Sequence, residues 1–215
     1  MKMHTQMGLW SNDIVELDKE NDAFLTEQLI TYIGNKRALL DFIGQGLDIV
    51  RRRLNKNRIE AFDVFSGSGV VSRYLKRYAD RLVVNDLENY ASVISRCYLS
   101  NHSEVNHSEL DNAFNYLNAE LCEEKLQAGF ITQLYSPQNL HSIQKDERCF
   151  YTPRNAMYLD TARALIDKLP TEIRHYLLAP LLSKASIHAN TSGVFKGFYK
   201  NSATGIGQFG GNNQD

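Results

Sequence analysis

The sequence predicts an α/β fold: a βαβ unit with a parallel strand pair in the first hundred residues, then a mainly helical second part. Three observations carry this reading. Two short apolar runs, Ile59 to Phe65 and Arg81 to Asn85, flank a stretch with helical spacing. The first run enters that stretch through Gly67-Ser68-Gly69, a tight strand-to-helix turn. Beyond Asn101 helix follows helix in the apolar pattern.

In order along the chain, residues 1–30 are polar and weakly patterned and read as an arm. From Lys36 to Leu54 apolar side chains recur at Leu39, Leu40, Ile43, Leu47, Val50 and Leu54, which is helical spacing. After the first strand, Val70 to Tyr78 reads as a helix with Val71, Tyr74 and Leu75 on one face. The second strand carries Leu-Val-Val, and Asn89 to Leu99 returns as a helix. A strand–helix–strand of this length calls for parallel pairing through a right-handed crossover. Later, Leu110, Phe114, Leu117 and Leu121 mark a helix. Thr152-Pro153 supplies an N-cap and a first-turn proline for another, which ends near Pro170. Thr171 is expected to cap the next, with Pro180 kinking it. The stretch from Asn190 to Gly211, rich in glycine and aromatics, is expected to be a hairpin or extended loop. The organisation expected is thus an arm (1–30), a cofactor-binding part (31–100) and a mainly helical region (101–215).

Composition narrows the function classes. The chain has 215 residues, 43% hydrophobic and 23% charged, which suits a packed globular domain and not a disordered tail. No apolar run approaches the ~20 residues of a membrane span, and the N-terminus lacks the apolar core of a secretory signal. With three widely spaced cysteines (Cys97, Cys122 and Cys149), the expectation is a cytoplasmic protein with reduced thiols, no metal site and no membrane partner. Net charge is −1, so there is no global positive field. The cluster Arg51, Arg52, Arg53, Lys56 and Arg58 reads as a solvated helix end favoured by the dipole.

Glycines at the first strand-to-helix turn of a βαβ unit let a ligand approach the backbone. Asp86 closes the second strand seventeen positions after Gly69, where a carboxylate reaches ribose hydroxyls. That spacing fits an adenosine-containing cofactor. A dinucleotide turn calls for a third small residue, and Ser72 stands there; a Gly-Lys-Ser/Thr phosphate loop is absent. Asp63, near the end of the first strand, would repel a pyrophosphate but attract a sulfonium or an amino group. Charge therefore favours S-adenosylmethionine over a nicotinamide dinucleotide.

YIGNKRALLDFI (Tyr32 to Ile43), DVFSGSGVV (Asp63 to Val71) and VVNDLE (Val83 to Glu88) resemble, in that order, three motifs of Dam-like adenine-N6 DNA methyltransferases. The resemblance continues through FYTPRNAMYLD (Phe150 to Asp160) and the Asn190–Gly211 stretch, covering roughly Thr31 to Gly211. It implies part of a Rossmann-like S-adenosylmethionine-dependent methyltransferase sheet with a helical DNA-recognition region, acting on double-stranded DNA, in a restriction-modification setting. By position it implies that Tyr32, Gly34 and Lys36 border the methionine end of the cofactor. Asp63, Phe65, Ser66, Gly67 and Gly69 would floor the pocket, and Asp86 would bind the ribose. Plain core packing is the alternative for Tyr32 and Phe65, and an ordinary helix-start lysine for Lys36. The late stretch would face DNA through Asn190, Phe195, Lys196, Phe198, Tyr199 and Lys200.

One motif of the family is missing. An exocyclic amine needs an acceptor beside a flipped base, which that family supplies from Asp-Pro-Pro-Tyr. Pro137, Pro153, Pro170 and Pro180 each stand alone, so no catalytic residue is assigned. The expectation is an N-terminal fragment, inactive and poorly folding alone, that needs a C-terminal half or a second chain. A non-catalytic DNA-binding or interaction module and a nicotinamide-dependent oxidoreductase remain the alternatives.

Overall fold

The computed structural model describes residues 21–31, 34–191 and 197–210. Helix α1 (Asp22–Thr26) is capped by Asn21, whose side-chain oxygen accepts from Ala23 N at 2.9 Å and Phe24 N at 3.4 Å. A 3-10 turn at Arg37–Leu39 leads into α2 (Leu40–Leu54), which Asn55 ends in the left-handed conformation at φ 51°. Strand β1 (Ile59–Asp63), helix α3 (Val70–Leu75), strand β2 (Ala79–Val84) and helix α4 (Asn89–Tyr98) form the expected βαβ unit and its returning helix. The strands pair in parallel, Ala61 opposite Leu82 and Asp63 opposite Val84. They form a two-stranded sheet among the described residues, so each has one unpaired edge.

The two faces of that sheet differ. Asp63, on one face, bonds Ser72 of α3. On the other face Phe62 lies opposite Val83 and Glu60 opposite Arg81, and Phe62 is 60% exposed. Strand β1 also stops two residues short of the sequence expectation, because Val64 and Phe65 already turn toward the glycines.

The helical second part is α5 (His107–Glu120), α6 (Phe130–Tyr135), α7 (Pro153–Ile166) and α8 (Thr171–His188). Thr152 caps α7, accepting from Asn155 N at 3.3 Å, and Pro153 is its first residue, as the sequence indicates. Thr171 is not a cap. Pro170 takes the N-cap place without a side-chain bond, and Thr171 begins the helix; α8 continues through Pro180 as one element. Asp160 on α7 closes α6 from the side: its carboxylate accepts from Gly129 N, Ile131 N, Thr132 N and Thr132 Oγ1 at 2.7–2.9 Å. Residues 199–208 form an irregular hairpin, with Gln208 N donating to Tyr199 O at 3.0 Å and Asn201 N to Ile206 O at 2.8 Å.

The end of the expected arm does not stand apart. Leu25 is fully buried, and Leu29 and Ile30 pack on Ile94 of α4. Arg73 of α3, itself 1% exposed, donates both terminal nitrogens to the carbonyls of Phe24 and Glu27. Burial lowers its pKa to about 10. Ser183 of α8 donates to Leu29 O, and Thr31 N donates to Ser186 Oγ at 3.0 Å. Residues 24–31 are therefore held between the βαβ unit and α8.

Candidate functional site

The carboxyl ends of β1 and β2 meet at the glycine turn. Asn85, just past β2, ties the two together: its N–H donates to Asp63 O at 2.9 Å, its side-chain amide donates to Val64 O at 3.0 Å, and its carbonyl accepts from Ser66 N at 3.0 Å. The turn then needs left-handed backbone at Gly67 (φ 51°) and Gly69 (φ 72°), which glycine adopts without strain. Gly69 N closes it onto Ser66 O at 2.8 Å. A Cβ placed on Gly69 would still lie 3.6 Å from Ile94, so backbone conformation, not crowding, fixes this glycine.

Asp86 reaches back to the turn. One carboxylate oxygen accepts from Gly67 N at 2.7 Å and the other from Glu88 N at 3.0 Å. The Glu88 and Gly67 bonds hold its pKa below the ordinary carboxylate value. Each oxygen keeps a second lone pair, so Asp86 can hold the turn and still accept from a ligand hydroxyl. Asp63 accepts from Ser72 Oγ at 2.6 Å. Phe65 is 86% exposed, which rules out core packing for its ring. Leu87, immediately after Asp86, is 95% exposed. These two apolar side chains stand beside a polar turn, offering surfaces for a flat adenine-sized ring.

Asp63, Phe65, Ser66, Gly67, Gly69 and Asp86 thus occupy the two strand ends and the turn between them. Gly34 (φ 79°) and Lys36 form a separate small turn at the entrance to α2, where Lys36 Nζ donates to Gly34 O at 2.7 Å. Tyr32 lies outside the described residues. The sequence reading missed Asn85 and Leu87. Their signal was position alone, on either side of the strand-terminal acid.

Two of the side chains expected to face DNA in the late stretch, Asn190 and Phe198, pack inward. Asn190 is 1% exposed, and its side-chain amide donates to Cys149 O and Gln208 O, both at 2.8 Å. An amide enclosed in this way fastens the hairpin from within and has no free face for DNA. Phe198 packs edge-on against Phe150, ring centroids 5.2 Å apart, so its ring is committed to the core. Tyr199 is 46% exposed, and the Lys200 ammonium lies 5.1 Å from the Phe198 ring centroid. Phe195 and Lys196 lie outside the described residues. Of the arginine cluster, Arg51 pairs with Asp48 at 3.2 Å and Arg58 with Asp80 at 2.8 Å. No helix among the described residues is long and apolar enough to cross a membrane.

A family profile described as D12 class N6 adenine-specific DNA methyltransferase matches residues 32–209. Among curated proteins, the Type II methyltransferase M.CviAII of Paramecium bursaria Chlorella virus 1 is 29% identical over 175 residues, covering 80% of this chain and 49% of that protein. The Type II methyltransferase M.NlaIII of Neisseria lactamica is 27% identical over 189 residues, covering 80% and 50%. The modification methylase LlaI of Lactococcus lactis subsp. lactis is 30% identical over 182 residues, covering 79% and 27%. The chain therefore spans about half the length of the first two relatives and less of the third. No solved structure gives a significant match.

Proposed function

The chain belongs to the family of D12 class N6 adenine-specific DNA methyltransferases, and from that premise we propose that it supplies the S-adenosylmethionine turn and part of the DNA-contacting surface of a site-specific adenine-N6 methyltransferase. The observation that carries the proposal is the meeting of Asp63, Gly67, Gly69 and Asp86 at the ends of two parallel strands. The curated relatives named above, two of them Type II methyltransferases, support a restriction-modification setting. The parallel pair fits one part of a Rossmann-like sheet.

In this reading the cofactor supplies an electrophilic methyl group on a sulfonium. Gly67 and Gly69 let its backbone-facing side come close, and Asp86 accepts from the ribose hydroxyls while keeping the turn closed. Phe65 and Leu87 flank the adenine. Asp63 presents negative charge toward the cationic end, with Gly34 and Lys36 bordering the methionine. None of the 215 residues forms an Asp-Pro-Pro-Tyr, so none of them is assigned as the acceptor for the target amine. That group is proposed to come from further polypeptide, a C-terminal half or a second chain.

On the DNA side we assign the contacts to Tyr199, whose 46% exposure supports the reading, and Lys200, with Phe195 and Lys196 beside them in sequence. Neutralising Lys196 and Lys200 together should flatten the dependence of DNA affinity on salt. The log–log slope should fall by about 0.9 for each phosphate that a lysine no longer neutralises. A slope equal to wild type removes both lysines from the interface.

Titration with S-adenosylmethionine and, separately, NAD⁺ tests the cofactor assignment. The methyl donor should bind, and Asp86→Ala should weaken it by about 1–3 kcal/mol, the range for hydrogen bonds to a charged group. Binding of the dinucleotide in its place, or equal affinity in the variant, overturns the proposal.

A further inference from the structure

We infer that Ser72 is a positioning residue that sets the preference of this site for a positively charged cofactor, by holding the Asp63 carboxylate in place. The inference rests on the reading of the glycine turn as an S-adenosylmethionine site. Ser72 occupies the third small-residue place after Gly67 and Gly69, where close helix–strand packing requires little more than a small side chain. Glycine or alanine would meet that need. Serine adds a hydroxyl where there is no solvent access, and a buried hydroxyl without a partner is costly. Its partner is Asp63, which accepts from Ser72 Oγ at 2.6 Å.

The bond has a directional consequence. Asp63 is the last residue of β1, at the strand end that leads into the turn. One of its oxygens is bonded by a group held within the packing, because Ser72 is inside α3 and fully enclosed. The other accepts no hydrogen bond from the described residues. Asp86, by contrast, has a backbone donor on each oxygen, Gly67 N on one and Glu88 N on the other. Of the two carboxylates at the strand ends, Asp63 is thus the one with an oxygen that no donor among the described residues engages. Fixing the carboxylate plane in advance removes the cost of ordering it on binding.

S-adenosylmethionine carries a sulfonium, whereas its demethylated product, S-adenosylhomocysteine, carries a neutral thioether. A residue that only packs the turn affects both alike. A residue that aims Asp63 affects the cation more.

Ligand-observed NMR titrations of both nucleosides against wild type, Ser72→Ala, Asp63→Asn and the double variant separate these outcomes, with a thermal melt to check the fold. Ser72→Ala should weaken S-adenosylmethionine roughly threefold to tenfold and leave S-adenosylhomocysteine nearly unchanged. It should add nothing to the effect of Asp63→Asn on the ratio of the two affinities. Equal losses for both nucleosides, or no loss, overturn the inference and leave the cofactor assignment standing. A wild-type chain that binds neither nucleoside overturns both. If Ser72→Ala melts early, Ser72→Cys keeps the shape with a weaker donor and reports the same ratio.

Discussion

The βαβ part and the helical part of this chain solve burial differently. In the helical part, polar and small residues close the structure from inside: Cys149, Ala156 and Ala179 have no exposed surface, Asn190 has 1%, and Asp160 satisfies four donors. In the first part, α3 covers one face of the sheet and the opposite face carries an exposed Phe62 and Val83. Helix α2 repeats the contrast. Leu40 and Gly44 face Tyr74 and Tyr78, while Leu39, Phe42, Ile49, Val50 and Leu54 are exposed. Helices satisfy their backbone locally, whereas a two-stranded sheet depends on neighbours for its edges and its second face. The part of the molecule that holds the glycine turn is the part whose sheet keeps an open face and open edges among the described residues.

Four experiments press on that contrast, the largest effect first. Asp160→Ala strips three backbone donors and a hydroxyl of their acceptor, so the helical part should lose about 3 kcal/mol in a denaturant titration. A loss under about 1 kcal/mol would show that α6 closes without it. Gly207→Ala places a Cβ 2.4 Å from the buried Cys149 Sγ and should destabilise by about 2 kcal/mol. Cys149→Ala in the same chain should return part of that loss, and strict additivity would refute the contact. Phe62→Thr, on the open sheet face, should alter stability by less than about 0.5 kcal/mol while reducing self-association in sedimentation. A large loss there would mean the face is covered.

The fourth concerns acid. Asp86 has a folded pKa below its unfolded value, so its contribution is complete above the unfolded value and fades as pH falls through the folded one. Asp86→Asn should therefore flatten the stability profile below about pH 4 and change nothing in its shape near neutrality. An unaltered acid limb would remove Asp86 from the turn's support.

What the sequence disclosed followed from local patterns. The change from strand to helical spacing around Gly67-Ser68-Gly69 located the βαβ unit, and Thr152-Pro153 located α7. Periodicity also found α2, but it could not say which stripe is covered: Leu39, Val50 and Leu54 share the spacing and are exposed. Asn190 was placed toward DNA by the resemblance of its stretch to a recognition hairpin, yet depth, which a motif does not encode, makes it a fastener. Asp160 was silent for a different reason. Its partners lie about thirty residues earlier, and no periodicity links a carboxylate to backbone donors across that distance.

The segment that Ser183 and Ser186 hold at Leu29 and Thr31 also sets a schedule. Those partners lie 154 and 155 residues apart. A ribosome adding about 5–20 residues per second needs roughly eight to thirty seconds to cover that span. Through that interval Leu29 and Ile30 can settle on α4, while Leu29 O and Thr31 N wait for the serines of α8. A nascent chain of this protein therefore carries an apolar segment whose backbone's polar partners on α8 are made 154 and 155 positions later, and a chaperone that binds apolar segments can meet it there.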